Sequence, residues 1–167
     1  MQPSGHTVAG MDAATASLAH DPVALTQALA AAAPMNRTLG LEVVSLDPVV
    51  LRLPNQEPIR NHVGGPHAGA IFTAGETAAA TLMLVRLGHL LDRAVALAVR
   101  GEIEWTKLAR CAVLAEASME ADASALEEQF EAGERPEWVT RIDFRREDDG
   151  APCGLMHVTL TLVRPRD

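Results

Sequence analysis

The chain has 167 residues, of which 48% are hydrophobic and 22% are charged, and this composition is typical of one soluble globular domain. Its 14 basic and 22 acidic residues give a formal net charge of −8, which argues against a protein that binds nucleic acid or anionic membranes through a basic face. Cys111 and Cys153 lie far apart with no histidine pair nearby, which argues against a disulfide scaffold and a zinc site. No signal-peptide pattern is found near residue 1, so we expect a cytoplasmic protein, and we expect it to use no cofactor and no metal ion.

The first third of the chain predicts a tail, one helix and a pair of strands. Residues 1–20 have no useful period and are expected to be a flexible tail, which leaves residues 21–167 as a single domain. Asp21 is a typical N-cap before Pro22 at the first helical position, and Pro34 ends that helix. The remaining predictions for this part are a connection at 35–40 and two strands, 41–46 and 49–53, joined by a turn at Asp47-Pro48.

The centre of the chain joins a polar turn to a long apolar stretch. The turn runs from Asn61 to Pro66, and the stretch from His67 to Arg86 carries a single formal charge before its end, at Glu76. Small and apolar residues occupy nearly the whole circumference of the predicted helix, so we expect it to be enclosed by protein with Glu76 inside. A buried carboxylate is costly unless its pKa shifts, it finds hydrogen bonds or it lines a cleft, which makes Glu76 a candidate for chemistry.

The start of this helix predicts an anion-binding site. Pro66 suits the first helical position, because the N–H that it lacks would have no partner there. The next N–H groups, those of His67, Ala68 and Gly69, are then expected to be free at the positive end of the helix dipole. Donors arranged in this way stabilise an anion or a developing oxyanion.

The second half of the chain predicts four strands in a meander. Residues 95–106 alternate with period 2, with Gly101 as a candidate bulge. Residues 122–134 fit a short acidic helix or a solvated loop equally well. The other predicted strands are 111–119, 138–144 and 156–162, with a hairpin turn at 148–150. An α+β fold, in which an antiparallel sheet wraps around the long helix, is therefore predicted in preference to alternating βαβ units.

The central residues also carry a family pattern. The sequence Asn61-x-x-Gly64-x-x-His67-x-Gly69, with Glu76 nine residues after the histidine, resembles the hotdog-fold acyl-CoA thioesterases of the PaaI type. The sequence around His67 and Glu76 is most similar to a branch of that superfamily whose members are mostly of unassigned function. The resemblance covers roughly residues 35–165 and implies a hotdog fold for most of the chain.

The resemblance implies specific roles for three residues. Glu76 falls on the catalytic carboxylate, Asn61 falls on the polar amide before the turn, and the backbone N–H of Ala68 falls on the group that polarises the thioester carbonyl. In that family the helix start of one subunit faces the catalytic acid of its neighbour. A homodimer, often paired into a homotetramer, is therefore implied.

Two departures from the family pattern bear on the site. Family members commonly have His-Gly-Gly where this chain has His67-Ala68-Gly69, but only the backbone of Ala68 is needed. Some members carry a hydroxyl one turn beyond the acid, where this chain has Ala80, so no helper hydroxyl is expected. The candidate substrate-binding residues are Gly65, Gly69 and Phe72 near the helix start, and Arg60, Lys107 and Arg110 for the phosphates of coenzyme A.

Each catalytic candidate has a structural alternative. Glu76 could be a hydrogen-bonded structural acid, Asn61 a residue that satisfies its own turn, and His67 a group that caps or orients the loop. The leading function is hydrolysis of an acyl-CoA or acyl-carrier-protein thioester, with Glu76 as general base or nucleophile. The alternatives are a non-catalytic module that binds an acyl ligand, and a hydratase, which would need a paired Asp and His that we do not find.

Overall fold

The computed structural model describes residues 17–165, in which an antiparallel sheet of six strands packs against a long helix. The expected tail at 1–20 falls largely outside the described residues, and its last part, 17–20, forms a turn from which Leu18 packs against the core. The helices are α1 (Pro22–Ala32), α2 (Pro34–Leu39), α3 (Ala68–Leu87) and α4 (Ala123–Glu131), with 3-10 turns at Glu57–Ile59 and Gly88–Leu90. The strands are β1 (Glu42–Leu46), β2 (Val49–Leu53), β3 (Val95–Trp105), β4 (Val113–Met119), β5 (Glu137–Arg146) and β6 (Pro152–Val163).

The N-terminal part of the domain has two helices where the sequence predicted one. Helix α1 begins as expected, because the Asp21 carboxylate accepts hydrogen bonds from the N–H groups of Val23 and Ala24. The expectation that residues 35–40 form a connection is wrong, since they belong to α2. Pro34 ends α1 and also occupies the first turn of α2, where its fixed φ suits a new helix. Gly40 then ends α2 in the left-handed conformation, with a φ of 64°.

The sheet has the strand order β1-β2-β4-β5-β6-β3, and every neighbouring pair is antiparallel. The predicted hairpin between β1 and β2 is confirmed, but the predicted four-strand meander is wrong for β3, which pairs with β6. The N–H groups of Thr106 and Lys107 donate to the carbonyl of Cys153 near the start of β6, so the chain leaves β3 while it is still attached to β6. The segment after β3 then crosses to β4, which lies between β2 and β5.

Two smaller predictions are decided by the local geometry. Gly101 is not the bulge, because the β3–β6 register shifts between Ala98 and Arg100. Gly101 instead permits a close approach, since a Cβ at this position would come within 2.7 Å of the Phe72 ring. The segment 122–134 contains helix α4, whose N-cap Asp122 accepts a hydrogen bond from the N–H of Ser124.

Helix α3 lies close to the sheet because small residues face it. Ala74 and Ala78 are completely buried, and a Cβ on Gly75 would come within 2.5 Å of the Met156 sulfur and 2.8 Å of the Phe144 ring. These small residues therefore allow close packing of α3 on the sheet. By length and composition alone the stretch Ala68–Leu90 could cross a membrane, but most of it is buried inside this domain.

One face of α3 is open, which corrects the expectation that protein encloses the helix on all sides. Ala68 and Glu76 are exposed, and Phe72, Thr73 and Ala80 are half-buried. Ala68, Phe72, Glu76 and Ala80 recur every four positions, and Thr73 lies three positions before Glu76. The five residues therefore lie on one side of the helix, which we call the open stripe. Alanine and glycine are common on both faces of α3, and for this reason the sequence period does not reveal which face the sheet covers.

Candidate functional site

The turn before α3 is shaped by the side chain of Asn61. Its Oδ1 accepts hydrogen bonds from the N–H groups of Val63 (3.1 Å) and Gly65 (3.2 Å), and its Nδ2 donates to the carbonyl of Pro66 (3.2 Å). Gly65 is required for the same turn, because a Cβ there would lie 1.9 Å from the carbonyl oxygen of Ala109. Asn61 and Gly65 therefore hold the turn against the segment that follows β3.

The start of α3 leaves one backbone donor free where the sequence predicted three. The N–H of His67 donates to the Ile59 carbonyl at 2.7 Å, and the N–H of Gly69 donates to Nδ1 of His67 at 3.0 Å. The expectation of free N–H groups on His67 and Gly69 is wrong for this reason. The N–H of Ala68 has no acceptor within residues 17–165.

His67 acts as the N-cap of α3, which is one of the alternatives that the sequence left open. Its Nδ1 is an acceptor, so the ring proton of the neutral side chain lies on Nε2. The helix begins at Ala68, and Pro66 is not its first residue as predicted; Pro66 instead forms an isolated bridge with Arg60. The helix therefore begins with a side-chain N-cap, His67, and not with a proline at its first position.

Glu76 lies two turns further along the open stripe, at the edge of a cleft of about 420 Å³. Its carboxylate makes no hydrogen bond or ion pair with any described residue. The cleft, which we call the Glu76 cleft, lies between the N-terminal helices and α3. Its walls are Leu29, Ala32, Ala33, Met35 and Asn36 on one side and Thr73, Glu76, Thr77 and Ala80 on the other.

The two walls of the Glu76 cleft are joined by a buried polar pair that the sequence did not reveal. The Thr77 hydroxyl donates to Asn36 Oδ1 at 3.1 Å, and Asn36 Nδ2 donates to the Leu29 carbonyl at 3.3 Å. Asn36 was missed because its segment was interpreted as a connection. A proline at 34 followed by a glycine at 40 is the signal for a short helix that could have placed it.

Ala68 lies in a second cleft of about 380 Å³, which we call the Ala68 cleft. It is lined by Asn61, Pro66, Ala68, Ile71 and residues 105–109. Trp105 is 52% exposed and was not among the predicted site residues, because its position at the end of an alternating strand indicated only packing. The thiol of Cys153 is unsuited to act as a nucleophile, since burial raises its pKa.

The three predicted phosphate-binding residues differ in their availability. The Arg60 guanidinium donates to the side-chain and main-chain oxygens of Asn55, and Arg110 Nε donates to the Val63 carbonyl. Both arginines therefore brace the loops around the Asn61 turn. Lys107 lines the Ala68 cleft, and its ammonium group has no hydrogen bond or ion pair in the described part of the chain.

The two chemically interesting groups of α3 are too far apart to act together within one chain. Ala68 and Glu76 are separated by eight residues of helix, which corresponds to about 12 Å at the helical rise of roughly 1.5 Å per residue. An oxyanion donor and an attacking group must both lie within about 3–3.5 Å of the same carbonyl. A site that uses both groups therefore needs two copies of the chain.

Comparisons with known proteins agree with this architecture. A family model described as "Domain of unknown function (DUF4442)" matches residues 22–162. No curated protein sequence matches the chain.

Solved structures with the same fold include proteins named as thioesterases. Protein PA5026 from Pseudomonas aeruginosa, titled a protein of unknown function and probable thioesterase, has a TM-score of 0.70 at 20% identity, covering 91% of this chain and 95% of its own. Thioesterase HI1161 from Haemophilus influenzae has a TM-score of 0.65 at 19% identity, covering 84% and 88%. The E. coli PaaI protein has a TM-score of 0.64 at 14% identity, covering 90% and 95%. The hotdog fold implied by the sequence resemblance is confirmed.

Replacing Asn36 by leucine should lower the free energy of unfolding by about 1–3 kcal/mol, because the buried Thr77 hydroxyl then loses its acceptor. The double variant Asn36→Leu/Thr77→Val should be more stable than Asn36→Leu, since both polar partners are then removed. Urea unfolding of the native protein, both single variants and the double variant measures these differences. An Asn36→Leu protein as stable as the native one would contradict a structural role for this pair.

Proposed function

We propose that this chain, which belongs to the DUF4442 family, hydrolyses acyl-CoA or acyl-carrier-protein thioesters at sites formed between two copies of itself. One observation carries the proposal. A backbone N–H and a carboxylate, at Ala68 and Glu76, have no partner among residues 17–165 and lie on the same open stripe of α3. These are the two groups that thioester hydrolysis requires, a donor for the carbonyl oxygen and a base or nucleophile for its carbon.

The Ala68 N–H polarises the thioester carbonyl in the proposed mechanism. It lies in the first turn of a helix of 20 residues, where the helix dipole adds to the attraction for negative charge. As the carbonyl carbon is attacked, its oxygen becomes negatively charged and its hydrogen bond with this N–H becomes stronger. A single donor of this type is typically worth about 100 to 1,000-fold in rate.

Glu76 of the second copy supplies the attack in one of two ways. As a general base it takes a proton from water while the water oxygen bonds to the carbonyl carbon, and the carbon–sulfur bond then breaks to release the thiol. As a nucleophile it bonds to the carbonyl carbon itself and forms an anhydride, which water then hydrolyses. Both routes need a carboxylate that no neighbouring cation holds, and Glu76 meets this requirement within residues 17–165.

Strand β3 is the surface through which we propose that two copies associate. It lies at one edge of the sheet and has 11 residues, and its Val95, Leu97 and Val99 side chains are 42%, 45% and 48% exposed. A long exposed edge with apolar side chains is a template for strand pairing. A homodimer made in this way would extend the sheet across both copies. The Phe72 ring of the open stripe lies against Gly101 of β3, so the stripe is beside this edge of the sheet. Pairing of dimers into a homotetramer remains part of the proposal.

A non-catalytic module that binds an acyl ligand is the second candidate. The hydrogen bonds of Asn61 favour it, because Oδ1 and Nδ2 already serve the turn and the amide is less available to a substrate. Ala80, which offers no hydroxyl beside Glu76, favours it as well. Activity measurements on variants at Glu76 and Ala68 separate the two functions.

Glu76→Gln should lower kcat/KM for acyl-CoA hydrolysis at least about 100-fold, because an amide can act neither as a base nor as a nucleophile. The melting temperature should not change, since the carboxylate has no described partner to lose. Glu128→Gln, on the exposed side of α4, is the matched control and should retain native activity. Binding of acyl-CoA without hydrolysis by the native protein would decide for the binding module.

Ala68→Pro should lower kcat/KM by about 100 to 1,000-fold, because it removes only the free N–H. Proline suits the first helical position, and His67 before it has a φ of −61° and a ψ of 143°, which a following proline accepts. Ala68→Ser keeps the N–H and should remain close to native activity. Equal activities of the proline and serine variants would remove Ala68 from the mechanism.

Mixing inactive Glu76→Gln with inactive Ala68→Pro should restore activity to about a quarter of the native value when the copies exchange at random. Half of the pairs are then mixed, and each mixed pair has one site with both native groups. The measurement is the hydrolysis rate before and after subunit exchange. A mixture that stays inactive despite demonstrated exchange would place both groups in a site of one chain and overturn the proposed shared site.

A further inference from the structure

We propose that the Glu76 cleft is the acyl pocket of this site and that it selects neutral, aliphatic acyl groups, while the phosphate-bearing thiol carrier lies in the Ala68 cleft. The inference rests on the proposed function, because it assigns the two ends of a thioester to the two clefts. It goes further by stating which acyl groups the protein accepts and which residues decide this.

Charge distinguishes the two clefts. Among residues 17–165, no Lys, Arg or His side chain lines the Glu76 cleft, and the Glu76 carboxylate is its only charged group. Phosphate groups and acyl chains that end in a carboxylate are both repelled by such a wall. The Ala68 cleft is instead lined by Lys107, whose ammonium group is not neutralised by any described partner. Of these two clefts, the Ala68 cleft is therefore the one that can stabilise a thiol carrier with phosphates.

The polar side chains of the Glu76 cleft are compatible with an apolar occupant. The Thr73 hydroxyl donates to the Gly69 carbonyl at 3.0 Å, and the Thr77 hydroxyl donates to Asn36. Since both hydroxyl protons already have acceptors, an aliphatic chain can cover these threonines without leaving a donor unpaired. An acyl chain lying here gains the free energy of burying apolar surface and loses no hydrogen bond.

Small side chains line the cleft, and larger side chains at the same positions would fill part of its space. Ala32 and Ala33 at the end of α1 line the cleft together with Ala80 of α3 and with Leu29, which is 5% exposed. Met35 also lines the cleft and is 58% exposed, so it stands at the open side. The α1–α2 segment therefore bounds the space left for the acyl chain, and a charged group on a chain that reaches the open side comes close to Met35.

Ala32→Leu tests the length limit, with Ala31→Leu as its matched control on the same helix. Ala32 lines the cleft, whereas Ala31 is exposed and does not. A series of saturated acyl-CoAs should show that Ala32→Leu lowers kcat/KM for the longest accepted chain about tenfold or more relative to the shortest. Ala31→Leu should leave this ratio at the native value.

Met35→Lys tests the charge preference, with Val23→Lys as its control. Val23 is 68% exposed on α1 and lies outside the cleft. Coenzyme A thioesters of dicarboxylic acids are compared with uncharged thioesters of equal length. Met35→Lys should raise the ratio of their kcat/KM values about tenfold or more, because it places a cation near the carboxylate end. The ratio should not change in Val23→Lys.

Binding of S-alkyl coenzyme A thioethers, which cannot be hydrolysed, separates failure of this inference from failure of the proposed function. If the native protein hydrolyses thioesters but neither ratio moves in Ala32→Leu and Met35→Lys, the acyl-pocket assignment is overturned and the hydrolytic function stands. If it hydrolyses nothing but binds thioethers with a chain-length dependence that Ala32→Leu removes, the pocket stands and hydrolysis is overturned. If it neither hydrolyses nor binds, both are overturned.

Discussion

The hydrogen-bond arrangement at the start of α3 is the constraint on which the candidate site depends. Pro66 has no N–H, His67 donates to Ile59, and Gly69 donates to the ring of His67. Within the described part of the chain, Ala68 is therefore the residue that keeps a free donor at the positive end of the helix. The turn before the helix holds this arrangement in place. The Asn61 side chain forms hydrogen bonds with three backbone groups of the turn, and Gly65 allows the turn to lie against Ala109. These contacts hold the donor in position before any ligand arrives, and a donor that is positioned in advance is effective in stabilising a developing negative charge.

One face of α3 packs against the sheet and the other is open, and the residue types on the two faces differ accordingly. The face toward the sheet consists of residues as small as Gly75, so that the helix axis can lie close to Phe144 and Met156. The open stripe carries the exposed Ala68 and Glu76, with half-buried residues between them. Helix α2, through Asn36 and Thr77, then closes one side of the stripe without covering Glu76. The cleft beside the carboxylate lies where the N-terminal helices meet α3, next to this polar pair.

Hydrophobic periodicity and the positions of proline, glycine and capping residues predicted most of the architecture. Helix α1, the β1–β2 hairpin, the long helix and the last two strands all follow from such local patterns and are present in the structure. The placement of β3 could not be predicted in the same way, because its pairing with β6 joins residues 49 to 68 positions apart in the sequence. The exposure of Glu76 was missed because the alanines around it are equally compatible with both faces of the helix. The roles of Asn61 and His67 depended on hydrogen bonds of single atoms, which no spacing of residue types determines. Asn36 was missed because Pro34 was interpreted only as the end of α1, whereas it also begins α2, the helix that contains Asn36.

The spacing of Ala68 and Glu76 on one rigid helix has a consequence for how the proposed activity responds to protein concentration. In the proposed dimer each helix would contribute its first turn to one site and its middle to another, so the two symmetry-related sites would form together or not at all. An isolated chain would then have both clefts but only half of each proposed site. Dilution below the dissociation constant of the proposed dimer would abolish the proposed turnover without unfolding the protein, so that self-association alone would control it.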